Sequence, residues 1–390
     1  MVRTAGILLL WFRKIDNKTM KIAILTQPLC NNYGGILQNY ALQAILRRLG
    51  HEPVTLNTPV PKASYPQWRL AMSCGKRLLR KYLMGDPAIV YVNPLLQHRK
   101  AIENATSHRQ FIEQHIQIEE VSLPLTRDFY LSHNFDAYVV GSDQVWRPRY
   151  NQYLSNFYLD FTQDADVRRV AYAASFGVDE WESDRQTTSL LRELAQKFDG
   201  ISVREQSGVS LCRENLGVDA EWVLDPTMLL TAEDYLQLVD AWQRKEEKPY
   251  IGVYLLDLTK EKVAAVERLA RKLSLDVKYL GRMTRKEYPS VESWLAGIAN
   301  AECVVTDSFH GTVFSIIFKK QFLTIGNYAR GNARFESLLS MFDLMGRLVA
   351  VEDVEREKMT KPIDYNSVGE TIIAAQNRAI QFITTNISGI

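Results

Sequence analysis

His310 is the side chain best placed for proton chemistry. It stands in Asp307-Ser308-Phe309-His310-Gly311, after an apolar strand-like run at 302–306 and before a helical stretch at 312–319. An imidazole at a strand end can give or take a proton near neutral pH, and the backbone N–H groups beside it can receive an oxyanion. A histidine that only caps the helix is the alternative. Arg204, in Ser202-Val203-Arg204-Glu205, follows a second strand-like run, and Arg330 and Arg334 lie in Tyr328-Ala-Arg-Gly-Asn-Ala-Arg-Phe335. Guanidinium forks match carboxylates and phosphates, so arginines from two domains could clamp a small dianion; surface ion pairs are the competing reading.

Asp143, in Gly141-Ser142-Asp143-Gln144-Val145-Trp146, could orient a sugar, act as a base, or cap a helix. Trp146 could stack on a sugar ring or belong to the core. Asn31, Asn32, Tyr33, Gly34 and Gly35 form a loop between a strand and a helix, where two glycines allow close backbone approach and the helix start can hold an anion or hydroxyls. A tight turn without ligand explains the same residues. The loop lacks the dinucleotide fingerprint and the phosphate-loop lysine.

The chain that must position these groups has 390 residues, with 47 Lys+Arg against 45 Asp+Glu for a net +2. That length predicts two or three domains. The near-neutral balance argues against a general nucleic-acid or membrane-surface binder, so any anionic ligand must be held by local charge. Cys30, Cys74, Cys212 and Cys303 are far apart and form no CxxC pair. Neither a zinc site nor a disulfide framework is written there, and reduced thiols are expected. No metal is expected. The apolar stretch at 6–12 is too short to span a bilayer and no small-residue cleavage site follows it, so residues 1–19 are read as an upstream-start extension.

From Lys21 onward, short β-branched runs alternate with helical periods, the pattern of parallel α/β sheets. Strands are expected at 21–26, 53–56, 136–141, 169–175 and 200–203. A second series runs through a strand at 249–256, a helix at 260–273, a strand at 277–280, a helix at 291–299 and a strand at 302–306. The expected domains are 20–235, with an irregular, proline-broken insertion at 58–128 and a solvated basic helix face at 76–81, and 236–365. A C-terminal helix at 366–390 is expected to cross back onto the first domain. The fold class is α/β, with two Rossmann-like domains facing across a cleft, as in B-type glycosyltransferases.

Six ordered segments, 26–43, 140–146, 203–207, Val223-Leu-Asp-Pro-Thr227, 307–311 and 330–335, together resemble the polysaccharide pyruvyl transferase family over about residues 20–348. The resemblance implies phosphoenolpyruvate as co-substrate, no other cofactor, and a pyruvate ketal installed on a sugar of a surface polysaccharide or its lipid-linked precursor. It also implies a cytoplasmic protein at the inner membrane face, peripherally associated through its acceptor. His310 matches a family histidine implicated in donor binding and acid/base work, and Arg204 a donor-binding arginine. One departure stands out: where some members carry Arg-Leu-His-Gly, this chain has Ser308-Phe309-His310-Gly311, and Arg330 or Arg334 would have to supply the missing charge.

On this reading His310 and Asp143 are catalytic. Arg204, Ser308, Phe309, Gly311, Arg330 and Arg334 hold the donor, and Asn31, Asn32, Tyr33, Gly34, Gly35, Gln38 and Trp146 hold the acceptor. His310 protonates the donor methylene, one sugar hydroxyl attacks the resulting oxocarbenium-like carbon, and a second displaces phosphate. A nucleotide-sugar glycosyltransferase on the same fold and a non-catalytic saccharide-binding protein are the rivals.

Overall fold

A computed structural model describes residues 18–60, 66–83, 89, 91–162, 165–239, 248–281, 287–326, 332–354, 359 and 361–388. The expected extension at 1–19 falls outside them except for Lys18 and Thr19. So does the charged half of the stretch joining the two strand series, at 240–247.

Two parallel sheets carry the fold. The first contains β1 (Lys21–Leu25), β2 (Glu52–Asn57), β3 (Ile118–Glu120), β4 (Ala137–Val140), β5 (Arg168–Ala174), β6 (Gly200–Val203) and β7 (Glu221–Trp222), in the order β3-β2-β1-β4-β5-β6-β7. The second contains β8 (Tyr250–Tyr254), β9 (Asp276–Tyr279), β10 (Cys303–Thr306), β11 (Gln321–Ile325) and β12 (Leu348–Val349), in the order β12-β11-β10-β8-β9. Strands β4, β8 and β10 are buried along their whole length, as expected of parallel strands covered on both faces. Strand order reverses between β1 and β4 and again between β8 and β10. Ligands in open α/β sheets bind at the carboxyl ends beside such reversals.

The helices are α1 (Tyr33–Arg48), α2 (Gln67–Tyr82), α3 (Pro94–Glu103), α4 (Thr106–His115), α5 (Arg127–Ser132), α6 (Arg185–Ala195), α7 (Gln206–Leu211), α8 (Ala232–Leu236), α9 (Lys260–Leu273), α10 (Val291–Ala299), α11 (Phe309–Ile317), α12 (Ala333–Met341) and α13 (Tyr365–Ser388). Helix α9 shows the local logic. Thr259 caps it by accepting from the Lys262 N–H at 3.3 Å, and Ala265, Val266, Leu269 and Ala270 make the one stripe it buries. Helix α11 is apolar nearly all round and is buried throughout.

Region 58–128 is more regular than its prolines suggest. Pro66 and Pro94 stand at the starts of α2 and α3, where a missing N–H leaves no helical bond unmade. The region then returns as β3, pairing in parallel with β2 at the sheet edge. Helix α13 ends on the first domain: Gln376 donates to the Met228 carbonyl at 2.7 Å, Phe382 meets Tyr172, and Asn386 fills the space above Gly200.

An aromatic cluster joins the domains. Tyr33 stacks on Trp294 with ring centroids 5.2 Å apart, meets Tyr254 edge-on, and donates its hydroxyl to the Pro289 carbonyl at 2.7 Å. His108 is buried against Tyr33 and Tyr288, and neither of its ring nitrogens has a hydrogen-bond partner among the described residues. Burial pushes its pKa from 6.5 down to about 4. The unfolded chain therefore binds the proton first, so stability is complete above about pH 6.5 and is lost as pH falls toward 4. Burial also lowers His51 and His115, so the test is a comparison. His108→Phe is expected to flatten the fall in melting temperature between pH 7 and 4.5; a profile parallel to wild type would refute it.

Candidate active site

The reversals of the two sheets bring four segments together: the start of α1, the turn after β4, the end of β6, and the junction of β10 with α11. Asp225, between β7 and the short helical turn Pro226–Leu229, stands at their centre and is buried. One carboxylate oxygen accepts from Arg204 Nη1 at 2.7 Å and from the Ser142 hydroxyl at 3.2 Å, and faces His310 Nε2 at 3.7 Å. The other accepts from the Thr227 N–H at 3.0 Å and its hydroxyl at 2.6 Å. Burial alone would raise the Asp225 pKa, but His310, Arg204 and Thr227 outweigh it and hold the carboxyl far below the ordinary carboxylate range.

Arg204 is fully enclosed. Besides Asp225 it reaches Asp143 through Nη2 at 3.4 Å, and its guanidinium lies 4.5 Å from the Phe309 ring centre; its Nε has no partner among the described residues. Burial opposes its charge, while Asp225, Asp143 and Glu205 raise its pKa above the ordinary value. The fork expected to hold a ligand is thus turned onto the protein's own carboxylates. Arg334, on α12, differs: it is buried, lies 5.8 Å from the same Phe309 ring, and makes no hydrogen bond or ion pair with any described residue. Burial, then repulsion from Arg204, pushes its pKa down to about 10 against the attraction of Asp143, Glu205 and Tyr150. Arg330 lies outside the described residues. Among the described residues, Asp143, Asp225 and Glu205 share this part of the cleft with Arg204 and Arg334.

His310 lies in the first turn of α11, which starts three residues earlier than the sequence suggests because Ser308 caps it, accepting from the Gly311 N–H at 3.4 Å. The histidine is therefore not the cap. Nor is it a surface group: it is buried, and its Nε2 has no hydrogen-bond partner among the described residues. The N–H groups of Phe309 and His310, at the positive end of the helix, are also unbonded among the described residues. Gly311 serves packing, since any side chain there would strike Thr306 on β10.

Gly34 and Gly35 are in the first turn of α1 rather than in a loop. Gly34 lies against the His310 ring so closely that a Cβ would overlap Nδ1 and its neighbours. Gly34→Ala must push the two domains apart or rotate the imidazole. Overpacking of this kind costs about 1–3 kcal/mol, so a lower melting temperature and a large loss of activity are expected together. Wild-type values of both would show that the domains do not meet this closely.

The other acceptor candidates divide sharply. Gln38 is buried; it donates to Thr26 and to the Gly35 carbonyl, and accepts from the Ser142 N–H at 3.1 Å, fixing the turn that carries Asp143. Asp143 has φ +75°, accepts from the Gln144 N–H, and no helix follows it directly, so it caps none. Tyr33 belongs to the interdomain cluster. Trp146 is 1% exposed, stacked on Tyr158, with its indole N–H on the Phe157 carbonyl at 2.9 Å. Neither ring has a face free for a sugar, because each is needed to close a core. Asn31 reaches Tyr288 at 3.4 Å and Asn32 is exposed.

Two participants escaped the sequence reading. Asp225 sits in a quoted motif, Asp-Pro-Thr, whose local signature is only that of a turn. Glu205 follows Arg204 and is buried; one oxygen accepts from the Ser175 hydroxyl and the Phe176 and Gly177 N–H groups, and the other has no hydrogen-bond partner among the described residues. Beside them, an open groove of about 460 Å³ runs between α7 and α12, lined by Gln206, Ser207, Ser210, Glu336, Ser337 and Ser340. The Gln206 N–H bridges it to Ser337 at 2.9 Å. Among the described residues no group of three or more His, Cys, Asp or Glu could hold a metal ion, and no helix is long and apolar enough to cross a membrane.

Comparison with solved structures gives the architecture its class. UDP-GlcNAc 2-epimerase from Neisseria meningitidis, solved bound to UDP-GlcNAc, is similar with a TM-score of 0.53 at 9% identity, over 94% of this chain and 100% of that one. UGT2 of Phytolacca americana, complexed with UDP-2-fluoro-glucose and pterostilbene, is similar with a TM-score of 0.50 at 10% identity, over 96% and 100%. Identities this low establish the fold alone: two Rossmann-like domains arranged as in B-type glycosyltransferases. No curated protein matches the chain in sequence. The family model of the polysaccharide pyruvyl transferases matches residues 32–328, a span running from the start of α1 to just beyond β11 and enclosing His310, Asp225 and Arg204, and the chain belongs to that family.

Proposed function

We propose that the cleft transfers a pyruvyl group from phosphoenolpyruvate to a sugar of a surface polysaccharide or its lipid-linked precursor, closing a ketal and releasing phosphate. The observation that carries this reading is Arg334, a buried guanidinium that makes no hydrogen bond or ion pair among the described residues and lies 5.8 Å from the ring of Phe309 at the start of α11. A buried unpaired cation is costly unless an anion completes it, and a planar fork suits carboxylate or phosphate. Arg334 then supplies the charge that Ser308 lacks. Arg204 and Asp225 act as the frame: Asp225 gives a proton on His310 Nε2 a counter-charge, and Arg204 keeps Asp225 ionised.

The chemistry balances on this frame. His310 gives a proton to the methylene carbon, the positive centre at C2 takes one sugar hydroxyl, and that hydroxyl's proton restores the imidazolium. The second hydroxyl displaces phosphate, which leaves with the remaining proton. The serine-lined groove between α7 and α12 offers hydroxyl partners suited to a saccharide.

Calorimetric titration tests the donor. Phosphoenolpyruvate is expected to bind wild type, and Arg334→Lys to bind it about tenfold more weakly or worse, because an ammonium keeps the charge but not the fork. Mass spectrometry of a panel of lipid-linked glycosides should show pyruvyl addition with phosphate release. Absence of donor binding to wild type, together with binding of a nucleotide sugar, would refute the reading.

A further inference from the structure

Helix α2 (Gln67–Tyr82) buries none of its residues, yet it is strongly amphipathic. At 100° per residue, Leu78, Tyr82, Trp68, Leu79, Met72 and the following Leu83 fall on a single arc roughly 140° wide. All six are more than half exposed, and together they are over half of the large apolar side chains exposed among the described residues. A surface helix ordinarily turns such a stripe inward. Here the opposite side is anchored: Arg77, diametrically across from Trp68, donates to the Val92 and Tyr91 carbonyls at 3.0 and 2.9 Å. The apolar arc is thus held outward by a polar tether.

Charge identifies what meets it. Helix α2 carries Arg69, Lys76, Arg77, Arg80 and Lys81 and no carboxylate, and Arg69, Lys76 and Arg80 line one edge of the apolar arc. Subtracting these five charges from the net +2 leaves −3 for the rest of the chain, so the cations are concentrated where the apolar face is. A second copy of the helix would bring the same cations. The apolar stretch at 6–12 is flanked by Arg3, Arg13 and Lys14 against Asp16, so it offers no complement either.

We infer that α2 docks the protein on an anionic bilayer, with Trp68, Met72 and Leu79 in the headgroup–acyl boundary and the flanking cations on acidic headgroups. Basic amphipathic helices with an aromatic apolar face lie in the membrane plane for these two reasons combined. Resting on the proposed function, this would place the cleft beside a lipid-linked acceptor. The docking itself needs neither donor nor acceptor.

The full chain should be sedimented with vesicles of phosphatidylcholine alone and of phosphatidylcholine with phosphatidylglycerol. Binding is expected to the second, to weaken with added salt, and to fall by about tenfold or more in Trp68→Ser/Leu79→Ser and in Arg69→Gln/Lys76→Gln. Both variants should keep the wild-type melting temperature, since the side chains are exposed. No binding of wild type to anionic vesicles would overturn the inference. So would a concentration-dependent dimer, seen by analytical ultracentrifugation, that Trp68→Ser/Leu79→Ser dissolves. Failure of pyruvyl transfer would leave vesicle binding unaffected, so the two readings fail separately.

Discussion

His310→Gln is expected to reduce turnover by about 10²–10⁴-fold while the protein stays folded and still binds phosphoenolpyruvate. Glutamine is the informative replacement because the imidazole is buried between Gly34 and Asp225, so alanine would remove packing as well as chemistry. Glutamine keeps much of the volume and a polar end but cannot hand a proton to carbon. The loss should appear in single-turnover rates rather than in the titrated donor affinity, since Arg334 and the α11 N–H groups remain. Wild-type turnover by the variant would remove His310 from the acid role. Unfolding of both the Gln and Ala variants would assign it to structure alone.

Asp225→Asn is expected to cost about 3–5 kcal/mol, the usual consequence of removing one member of a buried ion pair. The reason is Arg204, whose side chain is 1% exposed and would keep its charge with Asp143 at 3.4 Å as its one remaining ion pair among the described residues. Adding Arg204→Met should recover part of the loss, because the stranded charge leaves with it. The pH dependence has a definite sign. The folded carboxyl titrates below its ordinary 3.8, so its contribution is present above that pH and is lost as pH falls below it. Urea unfolding at neutral and acid pH measures both effects. A cost under about 1 kcal/mol, or no recovery in the double variant, would show that the pair does not hold the site.

Much of the cleft was legible residue by residue. Helices at 260–273 and 291–299 agree with α9 and α10 because cap and apolar stripe are both written within a single helix. The family and the two-domain fold were legible for a similar reason, since six short segments keep their order. Arg204 was read as a ligand fork because nothing near it in the chain foretells that Asp225, 21 residues on, occupies it. Trp146 was open to a sugar or to the core until Tyr158 closed over it. The basic stretch at 76–81 was legible as a solvated helix face, but not the apolar arc of α2 that points outward beside it.

The sequence by itself determined the alternation of strands and helices, the two parallel sheets that follow from it, the family, and the position of His310 where β10 meets a helix. These depend on neighbours three, four or a few residues apart, and on right-handed crossovers that leave strand ends on one edge. Only the tertiary structure decided the partners: Gly34 on His310, Asp225 between His310 and Arg204, Arg334 without an ion pair among the described residues, and the outward face of α2. Each of these is a contact, or a missing contact, between elements far apart in the chain. Local periodicity can say that a side chain is apolar or charged, but whether a buried charge finds a partner is settled by the distance at which two sheets close over each other.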